Sequence, residues 1–308
     1  MKQILTIGTR KSTLALVQTH WVRDELASVH PELEIAIEHI TTKGDTILDR
    51  PLAAIGDKGL FVTEIEEAMR AGRVQLAVHS AKDLPSVLPA DMTIAAYPRR
   101  ADPRDALVSR DGRTLIGLPH GARVGTSSPR RACQLRHLRP DLTLLDIRGN
   151  VDTRLRKLDD GHYDAIVLAA AGLARLDLAA RVTEYFDLAT MIPAVSQGTL
   201  GIETLRHDTA TAQLLRPLDN AEARTTATAE KAFLAHIGGG CQVAVGAFAQ
   251  LNGDTLTLTG MIGAFDGRLV RGELRGAAAN PQQLGAALAD ELLRQGGKKL
   301  LLSSERGF

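Results

Sequence analysis

Ile4-Leu5-Thr6-Ile7-Gly8-Thr9-Arg10-Lys11-Ser12 decides the fold. Its apolar half reads as a short strand and its polar half as a turn. Ser12 can cap the helix that follows, whose apolar face includes Leu14, Val17 and Trp21. A strand handed to a helix through a polar turn is the start of a βαβ unit, and the rhythm continues. Leu33, Ile35 and Ile37 alternate as a second strand, Thr42 to Asp45 forms a loop, and a helix covers about Thr63 to Ala71 with Ile65 and Met69 on one face. Gln75 to His79 is a third strand and Thr93 to Tyr97 a fourth. This alternation predicts a mainly parallel sheet with helices on both faces.

Pro98 to Arg104 breaks the pattern and reads as a linker. A second alternating block follows, with strands at Arg123 to Gly125, Leu142 to Ile147 and Ala165 to Ala169. After a further break at Ile192 to Gly198, Leu200 to Glu203 is strand-like but too short to start a domain, so it crosses back to complete the first sheet. Two doubly wound α/β lobes joined by two crossovers make a clamshell of the periplasmic-binding-protein kind, with ligand in the cleft at the strand ends. The last third is different. A long helix at about Ala221 to Ile237 leads to Gly238-Gly239-Gly240-Cys241-Gln242. Strands then flank the turn signals Asn252-Gly253 and Asp266-Gly267, and a final helix runs from about Pro281 to Gln295. The expected division is residues 1–98 with 199–216 as lobe 1, 104–192 as lobe 2, and 221–308 as a small α+β domain with a three-stranded antiparallel sheet.

Composition removes several function classes. With 44% hydrophobic residues, 24% charged residues and a net charge of +1, the chain has ample core and no global field to gather nucleic acid or membrane. Aromatic residues at 3% supply few stacking platforms for bases. No apolar run reaches transmembrane length, no signal-peptide pattern precedes the first strand, and two cysteines make no disulfide framework. A reducing, cytoplasmic setting is the expectation. No Walker, GxGxxG, HExxH or metal-spaced cluster is present.

Three constellations carry chemistry. The third strand ends in His79-Ser80-Ala81-Lys82-Asp83, and polar loops after parallel strands are where α/β sites form. Asp83 is that loop's carboxylate, beside the Lys82 cation. It either holds a cationic intermediate and passes protons or merely shapes the turn, and His79 reads as a strand-end histidine. Guanidinium groups recur after successive strands. Arg10 follows the first, Arg130 and Arg131 open a helix after Ser128-Pro129, and Arg148 and Arg154 flank the next turn. Arg175 follows the strand after that. Helix N-termini and arginine forks suit carboxylates or phosphates, so a polyanionic ligand is implied. Arg136, Arg139 and Arg156 read as solvated helix-surface groups. Cys241, isolated behind three glycines, is either a nucleophile and attachment point or a small residue in a tight turn. Gly56-Asp57-Lys58-Gly59-Leu60-Phe61 is either a closing loop or a flexible linker.

Taken in order, Gly8 to Ser12, Gly56 to Phe61, Val78 to Asp83, Val124 to Ser128, Arg148 to Val151 and Gly239 to Gln242 resemble the porphobilinogen deaminase (hydroxymethylbilane synthase) family across essentially the whole chain. The resemblance implies a cytoplasmic, monomeric transferase of porphyrin and heme biosynthesis. It implies a dipyrromethane cofactor held by a thioether to Cys241, onto which four porphobilinogen molecules are condensed head to tail with loss of ammonia. Hydroxymethylbilane is then released by water. Asp83 matches the family's catalytic aspartate. Arg10, Ser12, Ser80, Lys82, Thr126, Ser128, Arg130, Arg131, Arg148, Arg154 and Arg175 match positions that bind acetate and propionate groups. Gln18, Lys58, Phe61 and Gln197 match cleft or loop positions. The chain departs from the family's usual residues at Ala54, Pro129, Ser196, Lys231 and Ala244. The competing readings are a two-lobed anion-binding protein, which needs the arginines but neither Cys241 nor Asp83, and a nucleic-acid binder using the basic block, which the net charge disfavours.

Overall fold

The computed structural model describes residues 4–46, 61–238 and 243–304. They fall into two compact units, one running to Ala101 and including Gly198–Arg224, the other comprising Asp102–Gln197 with Thr225 onward. In the first unit, β1 (Ile4–Thr9) lies parallel to β2 (Glu34–His39) and to β3 (Leu76–Ser80). The returning strand β10 (Leu200–Leu205) inserts antiparallel between β3 and β4 (Met92–Ala96), giving the order β2-β1-β3-β10-β4. The sheet is therefore parallel except for the strand that arrives from the second crossover.

The helix after β1, α1 (Thr13–Val29), is capped as expected: Ser12 Oγ accepts from the Ala15 N–H. Its inward stripe is different from the one hydrophobicity suggests. Gln18, Thr19, Val22 and Leu26 are buried, whereas Trp21 is 42% exposed. The reason is local. Near its N-terminus the helix crosses the strand ends, where Thr19 donates to Thr9 Oγ1 (2.8 Å) and Gln18 donates to Ser80 Oγ (3.0 Å), so polar side chains face inward. The expected loop at Thr42 to Asp45 contains one helical turn, α2 (Lys43–Thr46). The next helix, α3 (Thr63–Arg70), buries Ile65 and Met69 as the spacing requires.

The second α/β sheet, within the other unit, contains two strands the sequence pattern hides. It comprises β5 (Asp105–Ser109), β6 (Arg123–Gly125), β7 (Thr143–Leu145), β8 (Ala165–Ala169) and β9 (Glu184–Tyr185), in the order β7-β6-β8-β5-β9. All five residues of β5 are buried, so they lack the period-two signature, and the strand begins with a charged residue. The strand expected over Leu142 to Ile147 shortens to Thr143–Leu145. Helices α4 (Pro129–Leu138), α5 (Val151–Asp159) and α6 (Ala170–Arg175) follow β6, β7 and β8. Pro129 sits in the first turn of α4, where no backbone donor is lost.

After α7 (Thr209–Leu215), the helix α8 (Ala221–Ile237) has the expected span. The antiparallel sheet β11 (Ala244–Asn252), β12 (Thr255–Gly263) and β13 (Leu269–Ala277) packs with α8 and α9 (Pro281–Leu292) around Phe233, Leu258, Ile262, Leu288 and Leu292. Burial of such side chains contributes roughly 1.5–3 kcal/mol each. Gly260 is required there, since a Cβ would stand 2.8 Å from the Phe233 ring. The final helix does not run to Gln295. It ends at Leu292, passes through a wide turn in which Gly296 takes φ 117°, and continues as α10 (Lys298–Ser304).

Candidate active site

In the first unit, the ends of β1 and β3 frame an open pocket of about 60 Å³. Arg10 and Ser12 line it from the β1 turn, Gln18 from α1, and His79, Ser80 and Asp83 from β3 and the 3₁₀ turn Ala81–Asp83. Phe61 closes one side, with the Arg10 guanidinium stacked 4.1 Å from its ring centre. That contact holds the guanidinium over the ring by cation–π attraction. The Ala81 N–H donates to the Thr199 carbonyl (2.9 Å), tying the turn to the entry of β10. Asp83 itself is exposed on the turn, Lys82 is half-buried, and Ser80 Oγ is held by Gln18. His79 is more than a strand-end residue. It is buried and its Nε2 lies 3.0 Å from the Glu203 carboxylate on β10. Glu66 of α3 belongs to the same cluster: burial, then the Glu203 charge, raise its carboxyl above the ordinary value, against the pull of Arg70.

The second unit gathers the expected arginines in a different way. Thr126 and Ser128 shape the turn after β6. Thr126 Oγ1 accepts from the Ser128 N–H, and Ser128 Oγ caps α4 by accepting from the Arg131 N–H. Arg130 and Arg131 are both buried, and both reach Asp105 at the head of β5. Arg130 donates from Nη1 to Asp105 Oδ2 (2.6 Å) and Arg131 from Nε to Oδ1 (2.9 Å). Gln197 adds Nε2 at 3.1 Å from Asp105 Oδ1 and also donates to the Pro103 carbonyl, so it braces the two crossover segments rather than standing free. Burial alone would raise the Asp105 carboxyl, but Arg130 and then Arg131 hold it far below the ordinary carboxylate range. Burial lowers Arg131, an effect Asp105 opposes.

Arg148 and Arg154 share the next turn: the Arg154 Nε donates to the Gly149 carbonyl (2.8 Å), and Asn150 caps α5 by accepting from the Thr153 N–H (2.9 Å). Arg175 lies at the end of α6, and burial pulls its guanidinium down to about 10. Arg156 is exposed as expected. Arg136 and Arg139 are not simply solvated: Arg136 donates to the Phe265 carbonyl, and Arg139 joins Asp141 and donates to the Leu115 carbonyl (2.7 Å). Lys58, Ala54 and Cys241 lie outside the described residues. Cys133 is fully buried and its thiol is pushed up to about 11 by burial, which makes it an inert packing group.

Residues 5–213 match the family description "Porphobilinogen deaminase, dipyromethane cofactor binding domain", and residues 224–294 match "Porphobilinogen deaminase, C-terminal domain". The chain belongs to the porphobilinogen deaminase family. It is 69% identical over 301 residues to the porphobilinogen deaminase of Roseiflexus sp. (strain RS-1), covering 98% of this chain and 99% of the relative. It is 68% identical, with the same coverage, to the enzyme of Roseiflexus castenholzii (strain DSM 13941 / HLO8). Among solved structures it is similar to the VFT2 domain of Bordetella pertussis BvgS, with a TM-score of 0.41, 14% identity, and coverage of 69% of this chain and 84% of that one. The fold description rests on the strand order itself.

As a porphobilinogen deaminase, the chain is a transferase of tetrapyrrole synthesis that consumes porphobilinogen and uses a dipyrromethane cofactor. The residues present suit such a carboxylate-rich group. Arg130 and Arg131 against one Asp105 leave a positive charge in excess, and Arg130 Nε is buried with no hydrogen-bond partner among the described residues. Asp105, Glu203 and Glu66 are the groups that sequence reasoning passed over. Glu203 interrupts an apolar stretch and Asp105 heads one, a signal for a buried, partnered carboxylate, whereas Glu66 lies between Glu64 and Glu67 and carries no such signal. Among the described residues no helix is long and apolar enough to cross a membrane.

Proposed function

We propose that this chain joins four porphobilinogen molecules head to tail on a dipyrromethane held through a thioether to Cys241, with Asp83 as the catalytic carboxylate. The observation that carries the reading is the pocket of the first unit, where Asp83 stands exposed at the strand ends among Arg10, Ser12, Gln18, Ser80 and Phe61. When bound, the dipyrromethane supplies the tethered pyrrole carbon to which the next ring is joined. Each condensation releases the substrate's aminomethyl nitrogen as ammonia and a ring hydrogen as a proton. A carboxylate on a short turn is suited to both tasks. It stabilises the cation left when ammonia departs, and it accepts the proton.

Arg10, Ser12, Ser80 and Lys82 in the first unit bind acetate and propionate groups, as do Thr126, Ser128, Arg130, Arg131, Arg148, Arg154 and Arg175 in the second. A charged hydrogen bond contributes roughly 1.5–3 kcal/mol, so several are needed to retain a lengthening polyanion. Gln18 orients Ser80, and Phe61 orients Arg10. Lys58 takes one of the family's cleft or loop positions. Residues 1–98 with 199–216, 104–192 and 221–308 act as three domains, and the chain works as a cytoplasmic monomer with no nucleic-acid or membrane partner. Asp83→Asn tests the central claim: ring addition slows by roughly 10²–10⁴-fold in single-turnover assays while the melting temperature hardly moves. Near-normal rates in that variant would leave Asp83 a turn residue. An intact mass without a pyrrole adduct in active protein would remove the role of Cys241.

A further inference from the structure

We infer that Asp105 is a positioning residue that sets Arg130 and Arg131 as one receptor for a carboxylate of the bound pyrrole chain. The inference rests on the reading that these two arginines bind pyrrole carboxylates. Asp105 is 0% exposed and heads β5, where it is paired with Ala169 of β8, so its backbone is fixed by the sheet. Its two oxygens take both guanidiniums. Arg130 reaches Oδ2 through Nη1 and Oδ1 through Nη2 (3.3 Å), and Arg131 reaches Oδ1 through Nε and Nη2. Backbone carbonyls add further restraints: Ile192 accepts from the same Arg130 Nη1 (2.7 Å) and Val167 accepts from Arg131 Nη1 (2.9 Å). Packing completes the restraint. A Cβ on Gly246 of β11 would stand 2.9 Å from Arg130 Cδ, so that strand lies directly against the Arg130 stem.

What remains is a fixed set of donors with a charge to match. Two guanidiniums against one carboxylate leave one positive charge in excess in a buried place. Excess buried charge is costly unless an opposite charge completes it. The first turn of α4 carries no acid, and its N-terminal dipole adds to the positive side. The buried Nε of Arg130 has no hydrogen-bond partner among the described residues. A single carboxylate supplies the missing charge and the missing acceptor. Without Asp105 the neighbouring guanidiniums would repel each other and lose their common orientation. One strand residue therefore decides where both forks are presented.

The test uses holoprotein of the wild type and of Asp105→Glu, Asp105→Asn and Arg131→Gln. Asp105→Glu keeps the charge and shifts both forks by a methylene length. The expected result is a cooperative melt, with either the primer-bearing share in intact mass down by about tenfold or KM for porphobilinogen up by about tenfold, while kcat of the loaded protein stays within about threefold. Asp105→Asn should be the more severe. A second measurement needs no variant to fold: the side-chain ¹⁵N–¹H signal of Arg130 Nε should move between wild-type protein stripped of its pyrrole adduct and the loaded protein. Wild-type loading and KM in folded Asp105 variants, or an Arg130 Nε signal indifferent to loading, overturns the proposal. If Arg131→Gln is also indistinguishable from wild type, the carboxylate-binding reading falls as well. If Arg131→Gln is defective and the Asp105 variants are normal, only the role of Asp105 falls.

Discussion

The first and second α/β sheets use one plan and give their buried carboxylates different partners. Each has three mutually parallel strands and then an antiparallel fourth strand delivered by a crossover, β10 in one and β5 in the other. Each fourth strand carries a carboxylate with no exposure, Glu203 or Asp105. Their partners differ. Glu203 meets His79 and a second acid, Glu66, and one of its oxygens has no hydrogen-bond partner among the described residues. Asp105 meets two arginines and Gln197. The fourth strand is thus set among acids in the unit that carries Asp83 and among bases in the other, with Glu203 opposite Ala77 near the start of β3 and Asp105 opposite Ala169 at the end of β8. Repeated topology supplies a buried site for charge, and the neighbouring elements decide its partners.

The sharpest way to break this comparison is to neutralise each carboxylate. Asp105→Asn strands two buried guanidiniums and should cost about 3–5 kcal/mol in urea unfolding. Glu203→Gln removes a charge from an acid-rich cluster and leaves an oxygen for His79, so about 1–2 kcal/mol is expected. Equal costs would mean that the two clusters are electrostatically alike. Gly246→Ala probes the basic cluster from outside. Its Cβ would meet the Pro193 carbonyl at 2.8 Å and Arg130 Cδ at 2.9 Å, and overpacking of this kind costs about 1–3 kcal/mol. A neutral result in thermal melts would mean that Arg130 is free to shift.

Acid titration sharpens the contrast because the two carboxyls move in opposite directions. Glu66 is raised above 4.5, so its native state holds the proton more tightly than the unfolded chain. Its contribution is therefore greatest below the unfolded value and is lost as pH rises through the folded one. Asp105 is depressed below 3.8, so its contribution is present above the unfolded value and disappears only in stronger acid. Glu66→Gln should accordingly be no less stable than wild type near neutral pH and should lose ground to it on mild acidification. Parallel stability curves for the two proteins would contradict this. The smallest expected effect is at Ser196, which takes φ 60° and has a buried hydroxyl without a hydrogen-bond partner among the described residues. Its N–H is held by Glu230 (2.5 Å), so the strained backbone is kept in place. Ser196→Gly should gain about 1 kcal/mol in melting experiments, since glycine tolerates that conformation.

The positive φ at Ser196 is a conformation that favours glycine. The sequence alone presented a departure from pattern with no cause attached. Arg130 and Arg131 show the same limit. Their place after a strand and at a helix start is legible in the sequence, where such side chains are either solvated or ligand-binding. Burial against Asp105 is a third state, which needs a strand that the sequence pattern hides. Trp21 leaves its expected inward place because the inward stripe of α1 is set by what lies beneath it.

Local order was written in the chain: β1 and its capped helix, the turn carrying Asp83, α8, and the hairpins at Asn252-Gly253 and Asp266-Gly267 all depend on near neighbours. So was the family, through short motifs whose order survives any packing. Tertiary structure alone decided the partners of His79, Asp105 and Gln197, the antiparallel insertion of β5 and β10, and the grouping of the C-terminal sheet with the second α/β sheet. The physical reason is sequence separation. Asp105 and Gln197 are 92 residues apart and His79 and Glu203 are 124 apart, and a buried charge acquires its partner only when distant strands close on it.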